Sequence, residues 1–167
     1  MNMPETNTSD NTELVQLTAF RVGSEEYVID IMRVREIIRP LPITKVRKGP
    51  RFVEGVINLR GEVIPIIDLR RRFDLDCEQH AQRRIVIITM DGRTIGLIVD
   101  AVTEVVRTPK NSLRPAPGLL DQGKAPYFLG ICQHRGRTLI LLNVKNVITS
   151  EELIDVGSAA ELLLSQE

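Results

Sequence analysis

The sequence predicts a mainly β protein: two copies of one small β-barrel module packed together, with short helices and a helix at the C-terminus. Three observations predict it. Short runs dominated by β-branched residues alternate with turn signals along most of the chain, the pattern of small barrels. One segment recurs further along with its apolar frame, glycines and an arginine in place, the mark of an internal duplication. Each copy is too small to bury a good core alone, so the copies are expected to pack on each other.

The duplication needs no gap. FVEGVINLRGEVIPIIDLRRRF (52–73) lies over YFLGICQHRGRTLILLNVKNVI (127–148) at a constant offset of 75 residues. Gly55 falls on Gly130, Arg60 on Arg135, Gly61 on Gly136 and Asp68 on Asn143. Upstream, VREII (34–38) matches VTEVV (102–106) at an offset of 68, which puts Glu36 on Glu104. Order is kept and only the connecting loop changes length. The expected organisation is a disordered tail (1–13), one domain (14–149) holding copies at about 14–73 and 84–148, and a C-terminal helix (150–167).

Element by element, LVQLTAFRV (14–22) is a strand with partial alternation, and Gly23-Ser24 turns the chain into EEYVIDI. The prolines of RPLPITKVRKGP (39–50) mark an extended connection. The Arg60-Gly61 turn joins two apolar runs into a hairpin, and DLDCEQHAQ (74–82) links the copies. RIVIITM (84–90), Asp91-Gly92 and TIGLIV (94–99) form a second hairpin, Asp-Gly being a strong short-range hairpin signal. VTEVV, a long loop and the Arg135-Gly136 hairpin follow. In the tail, Thr149 and Glu152 have capping-box spacing, and Leu153, Val156, Ala160 and Leu163 share one helical face.

Composition narrows the function. The chain has 167 residues, 43% hydrophobic and 26% charged, with 22 basic and 22 acidic side chains. That balance gives no electrostatic footprint for nucleic acid or an anionic membrane. Arg70, Arg71 and Arg72 read as a solvated helix face. The first residues lack the basic start and apolar core of a secretory signal, and no apolar run is long enough to span a membrane. Two cysteines, Cys77 and Cys132, imply no disulfide framework and suit a reducing cytoplasm.

Catalytic signals are missing. There is no phosphate-binding glycine loop and no Gly-x-Ser-x-Gly elbow. Cys77, His80, Cys132 and His134 number enough for a zinc site, but their spacing is unusual. A buried Cys132 and exposed histidines are the preferred reading, with no metal or cofactor expected. Six Phe and Tyr and no Trp give little base-stacking surface.

The polar features of the first hairpin therefore read as surface. Both copies carry an apolar-x-Glu-apolar strand and a later Arg-Gly turn. Glu36–Arg60 and Glu104–Arg135 should then occupy equivalent places, and an ion pair is expected at least for Glu36–Arg60. Pro65 has no N–H and belongs on an edge strand or bulge; its counterpart, Ile140, carries no such restriction. Asn58, Glu62 and Pro65, which the second copy lacks, look like marks of one module's docking surface.

FVEGVINLRGEVIPIIDLRRRF closely resembles the signature of the CheW family of chemotaxis coupling proteins. FRVGSEEYVIDIMRVREIIRPLPIT, RIVIITMDGRTIGLIVDAVTEVV, LRPAP (113–117) and YFLGI (127–131) fit the same family. The resemblance implies two intertwined five-stranded SH3-like β-barrels with a groove between them, and no catalysis. It implies an adaptor joining the cytoplasmic tip of methyl-accepting chemoreceptors to the regulatory domain of a CheA-type histidine kinase, and rings with other CheW-like domains. With no room for a kinase or receiver domain, a stand-alone cytoplasmic adaptor recruited to membrane receptor arrays is implied. The alternative is an adaptor of a related pathway controlling pili, gliding or gene expression. Carried over by position, Val34, Glu36, Gly55, Asn58, Arg60, Gly61, Ile85, Val86 and Val102 are the receptor- or kinase-contacting candidates. Ile85 and Val86 should point to opposite faces of a strand, so both cannot line one groove. QHRGR (133–137), the basic VRKGP (46–50) and the Cys77–His80 loop depart from the family pattern.

Overall fold

The computed structural model describes residues 13–46, 53–76, 81–115 and 127–147. Ten strands dominate them: β1 (Leu14–Val22), β2 (Glu25–Asp30), β3 (Val34–Ile38), β4 (Val53–Leu59), β5 (Glu62–Asp68), β6 (Arg84–Met90), β7 (Arg93–Val99), β8 (Ala101–Pro109), β9 (Phe128–His134) and β10 (Arg137–Leu142). Two short helices, α1 (Leu69–Arg72) and α2 (Val144–Val147), follow β5 and β10 at equivalent places. The expected tail helix, the N-terminal tail, Cys77 and His80 lie outside the described residues.

The strands form two five-stranded sheets, β8-β1-β2-β10-β9 and β3-β6-β7-β5-β4. These are the two SH3-like barrels, called here barrel one and barrel two. The copies and the barrels are not the same units. The first copy sends β1–β2 to barrel one and β3–β5 to barrel two; the second sends β6–β7 to barrel two and β8–β10 to barrel one. Two parallel pairings make the exchange, β10 with β2 and β5 with β7. All other strand pairs are antiparallel.

Three apolar clusters follow from this arrangement. Leu17, Ala19, Val28, Val106, Cys132 and Leu139 fill barrel one. Ile57, Ile64, Ile66, Ile85, Ile87 and Ile98 fill barrel two. The largest lies between the barrels and takes Phe20, Tyr27, Ile29, Phe73, Val86, Ile88, Leu97 and Phe128 among others. Strands covered on both faces read as near-continuous apolar runs. That explains the imperfect alternation of β1, where Leu17 and Ala19 enter one cluster and Phe20 and Val22 another. Tyr27 sits among Phe20, Phe73 and Phe128, with ring centroids 6.1, 5.2 and 5.8 Å away. Burial there, helped by the nearby Glu25 charge, pushes its hydroxyl up to about 12.

The internal repeat extends to backbone irregularities. β3 is bulged at Arg35, which lies between Val34 opposite Ile88 and Glu36 opposite Ile87. β8 is bulged at the equivalent Thr103. After each of these strands the chain crosses the hairpin that follows: Thr44 bridges Val56, and Arg114 bridges Ile131. Gly55 and Gly130 make room for the crossing. A Cβ on Gly55 would lie 2.0 Å from the Thr44 carbonyl oxygen, and one on Gly130 would lie 2.4 Å from that of Arg114.

Two expectations need correction. Pro65 is not on an edge strand, since β5 lies between β4 and β7. Val56, opposite Pro65, directs both its N–H and its carbonyl to Thr44 (2.8 and 2.9 Å). Pro65 therefore faces away from β4, towards β7, where the ladder begins only at Ile66. No bond to β4 is lost. In barrel one, with Ile140 at this place, the parallel ladder starts earlier, at Leu139.

The arginine run is a solvated face only at Arg71, which is exposed, whereas Arg70 and Arg72 are partly buried. Arg70, only 12% exposed, makes a bidentate pair with Asp100, Nε to Oδ1 and Nη2 to Oδ2 both at 2.7 Å. Arg72 lies 5.0 Å above the Tyr127 ring, and Arg71 pairs with Glu54 at 2.7 Å. Asp100 also accepts the Gly23 N–H at 2.8 Å, so one carboxylate ties the β1–β2 turn of barrel one to the helix that follows β5 of barrel two.

Candidate docking site

The β4–β5 hairpin turns through Arg60 and Gly61, whose φ angles are 53° and 85°. Two positive φ values define a type I′ turn, which matches the twist of antiparallel strands. An arginine in this region is strained by about 1–2 kcal/mol. Arg135-Gly136 and Asp91-Gly92 adopt the same geometry, so the hairpin type itself accounts for the conformation. Asn58 closes the turn by accepting the Gly61 N–H at 2.9 Å.

Glu36 reaches this turn from β3. Its carboxylate accepts a hydrogen bond from Arg60 Nη2, the ion pair that the repeat predicts. Arg60 is 63% exposed and Glu36 28%. Such a pair contributes about 0.2–1 kcal/mol, so its consequence is orientation more than stability. Beside it, Arg35 Nη1 donates to Glu62 Oε1 at 2.8 Å and to Thr94 Oγ1 at 3.3 Å. The hydrogen bond from Arg35 holds the Glu62 carboxyl below its usual range, with Thr94 and the Arg60 charge adding to it. β3 is one end of the sheet and the β4–β5 hairpin forms the other side, so the two ion pairs tie β3 to the turn of that hairpin and the start of β5.

Glu36, Asn58, Arg60 and Gly61 therefore come together on one rim, and Gly55 shapes the crossing beneath it. Val34 begins β3 and packs, half-buried, on the inter-barrel cluster. Val102, its counterpart on β8, packs on that cluster from barrel one. Ile85 and Val86 are buried completely, one inside barrel two and one between the barrels. They are core and present nothing to a partner, which corrects their place among the contact candidates.

The equivalent rim of barrel one differs. Glu104 pairs with Arg137, not with Arg135. Arg137 also reaches Glu26 at 3.1 Å, and His134 Nε2 lies 3.9 Å from Glu104. The Glu104 hydrogen bond is the main reason that the Arg137 guanidinium is held above its usual range. Burial pushes the Cys132 thiol up. His134 is half-buried rather than exposed. Among the described residues no three His, Cys, Asp or Glu side chains gather as metal ligands. Sequence reasoning missed Arg35–Glu62 and Arg70–Asp100. Only the bulge brings Arg35 beside Glu36 on the rim, and a bulge leaves no mark in the apolar pattern.

Interlocked SH3-like barrels with a built, exposed charged rim define a binding scaffold. Residues 16–152 match the family model described as CheW-like domain. The chain belongs to the CheW family and is a chemotaxis adaptor of that scaffold type. It is 36% identical to the chemotaxis protein CheW of Klebsiella aerogenes over 85% of this chain and 86% of that one. It is 35% identical to that of Rhizobium meliloti over 82% and 89%. The scaffolding protein TtCheW from Thermoanaerobacter tengcongensis has a similar structure, with TM-score 0.76, 32% identity, and coverage of 84% of this chain and 96% of that one.

Proposed function

We propose that this chain is a non-catalytic adaptor that couples the cytoplasmic tip of methyl-accepting chemoreceptors to a CheA-type histidine kinase. It docks the regulatory domain of the kinase barrel to barrel, joins rings with other CheW-like domains, and is recruited from the cytoplasm to membrane arrays. The observation that carries the site is the Glu36–Arg60 ion pair on an exposed hairpin whose turn Asn58 closes. The pair adds little to stability, yet holds a guanidinium and a carboxylate in a defined, accessible geometry. Among the described residues no helix is long and apolar enough to cross a membrane, consistent with recruitment through partners.

The test is reconstitution with a purified receptor-tip fragment and a CheA-type kinase. The native chain is expected to form a ternary complex. Arg60→Ala and Glu36→Ala should each weaken it about tenfold, the scale of one substantial interface truncation, with the melting temperature unchanged. A complex indifferent to both substitutions removes the site.

A further inference from the structure

We infer that Arg35 and Glu62 are positioning residues of the docking rim: the sign of the charge at position 62 decides which arginine the strand glutamate holds, and so whether the turn arginine is presented in a fixed orientation. The inference rests on the docking reading above and deepens it.

The two rims of the molecule make the comparison. Both have a glutamate on the bulged strand and an arginine at the first turn position. In barrel two, position 62 is glutamate and is occupied by Arg35 at 2.8 Å. Glu36 is left to Arg60. In barrel one the equivalent position holds Arg137, and the equivalent of Arg35 is Thr103, which carries no charge. There Arg137 takes the strand glutamate, Glu104. Arg135, the counterpart of Arg60, is exposed and has no ion pair among the described residues. The same backbone thus fixes the turn arginine in one rim and leaves it loose in the other.

The crossed arrangement also selects one alignment. β3 offers a positive then a negative residue, and so does the hairpin. Pairing Arg35 with Glu62 and Glu36 with Arg60 satisfies all four. The other pairing would set Arg35 against Arg60 and Glu36 against Glu62, both repulsive. Arg35 and Glu62 are each about two-fifths exposed (41% and 42%), so their effect is on geometry and they can be changed without breaching the core.

The experiment uses the full chain and a purified receptor-tip fragment, with Kd, melting temperature and the Arg60 side-chain Nε–H resonance as readouts. Glu62→Arg should draw Glu36 away from Arg60, as in barrel one. The Arg60 resonance then shifts and Kd weakens about as much as in Arg60→Ala. Glu62→Gln should give a smaller loss, about two- to fivefold. Combining Arg35→Glu with Glu62→Arg re-forms the outer pair, returns Glu36 to Arg60, and should restore both the resonance and Kd. If Glu62→Arg leaves Kd and the resonance as in the native chain, the inference is overturned. It is equally overturned if the double variant binds no better than the singles, because each charge would then act for itself. Arg60→Ala in the same series separates the two levels: if that substitution leaves Kd unchanged, the docking reading fails and takes the inference with it.

Discussion

At the scale of single residues, the glycines of the first hairpin separate a packing requirement from a conformational one. Gly55 has φ 147°, and a methyl group there would run into the Thr44 backbone. Gly61 has φ 85° but faces open space. Gly55→Ala should therefore cost about 3 kcal/mol, from steric overlap together with backbone strain. Gly61→Ala should cost about 1–2 kcal/mol, from the left-handed backbone alone. Urea denaturation of the two variants measures the difference; equal losses would mean that the Thr44 crossing yields freely. Legibility at this scale was uneven. The Glu36–Arg60 pair could be read because the repeat supplied two aligned strand-and-turn combinations. The partner of Glu104 could not: alignment pointed to Arg135, whereas Arg137 competes better from the strand beside the turn. Position in a repeat predicts the backbone site, and the side chains then choose among neighbours by charge.

At the scale of elements, strands and turns were legible because their signals are local. Strand β6 has the bounds read from RIVIITM, and the glycine of each of the three x-Gly hairpin turns has the positive φ that glycine permits. The arginine run after β5 was misread because its partner lies far along the chain. Arg70 and Asp100 are 30 residues apart and nearly buried. Asp68 accepts the Arg70 N–H at 2.9 Å and so starts α1 at the place where the guanidinium can reach Asp100. Removing one member of a buried ion pair leaves the other charge desolvated, at a cost of about 3–5 kcal/mol. Asp100→Ala should fall in that range, and it also takes away the acceptor of the Gly23 N–H. Asp100→Asn should cost less, since a side-chain oxygen remains for that N–H. Denaturant midpoints at constant slope test the order. An Asp100→Ala variant within about 1 kcal/mol of the native chain, the range of exposed pairs, would show that water reaches Arg70 and that the pair does not clamp the barrels.

At the scale of the whole molecule, the copies that the sequence displays are not the units that fold. Hydrophobic pattern and alignment reveal that β1–β5 and β6–β10 are related, but they hold no record of pairing across copies. The exchange is set by β10 on β2 and β5 on β7, and by the apolar cluster that the barrels share. A chain divided in the linker between β5 and β6 would leave its first half with the β1–β2 hairpin lacking β8 and β10, and with β3, β4 and β5 lacking β6 and β7. The inter-barrel faces of Phe20, Tyr27 and Phe73 would lose their cover from Val86, Leu97 and Phe128. Each half, expressed alone, is therefore expected to show no cooperative melting transition as a monomer. Mixing the halves should restore one transition, because each supplies the strands that the other lacks; with no tryptophan to fluoresce, it is followed by the backbone signal in far-ultraviolet circular dichroism. Light scattering during the same experiment identifies any self-paired dimer, in which one half borrows the equivalent strands of a second copy. A half that melts cooperatively as a monomer would make the sequence copy an autonomous folding unit, and the strand exchange would then be an assembly of two finished modules instead of the condition for either barrel to form.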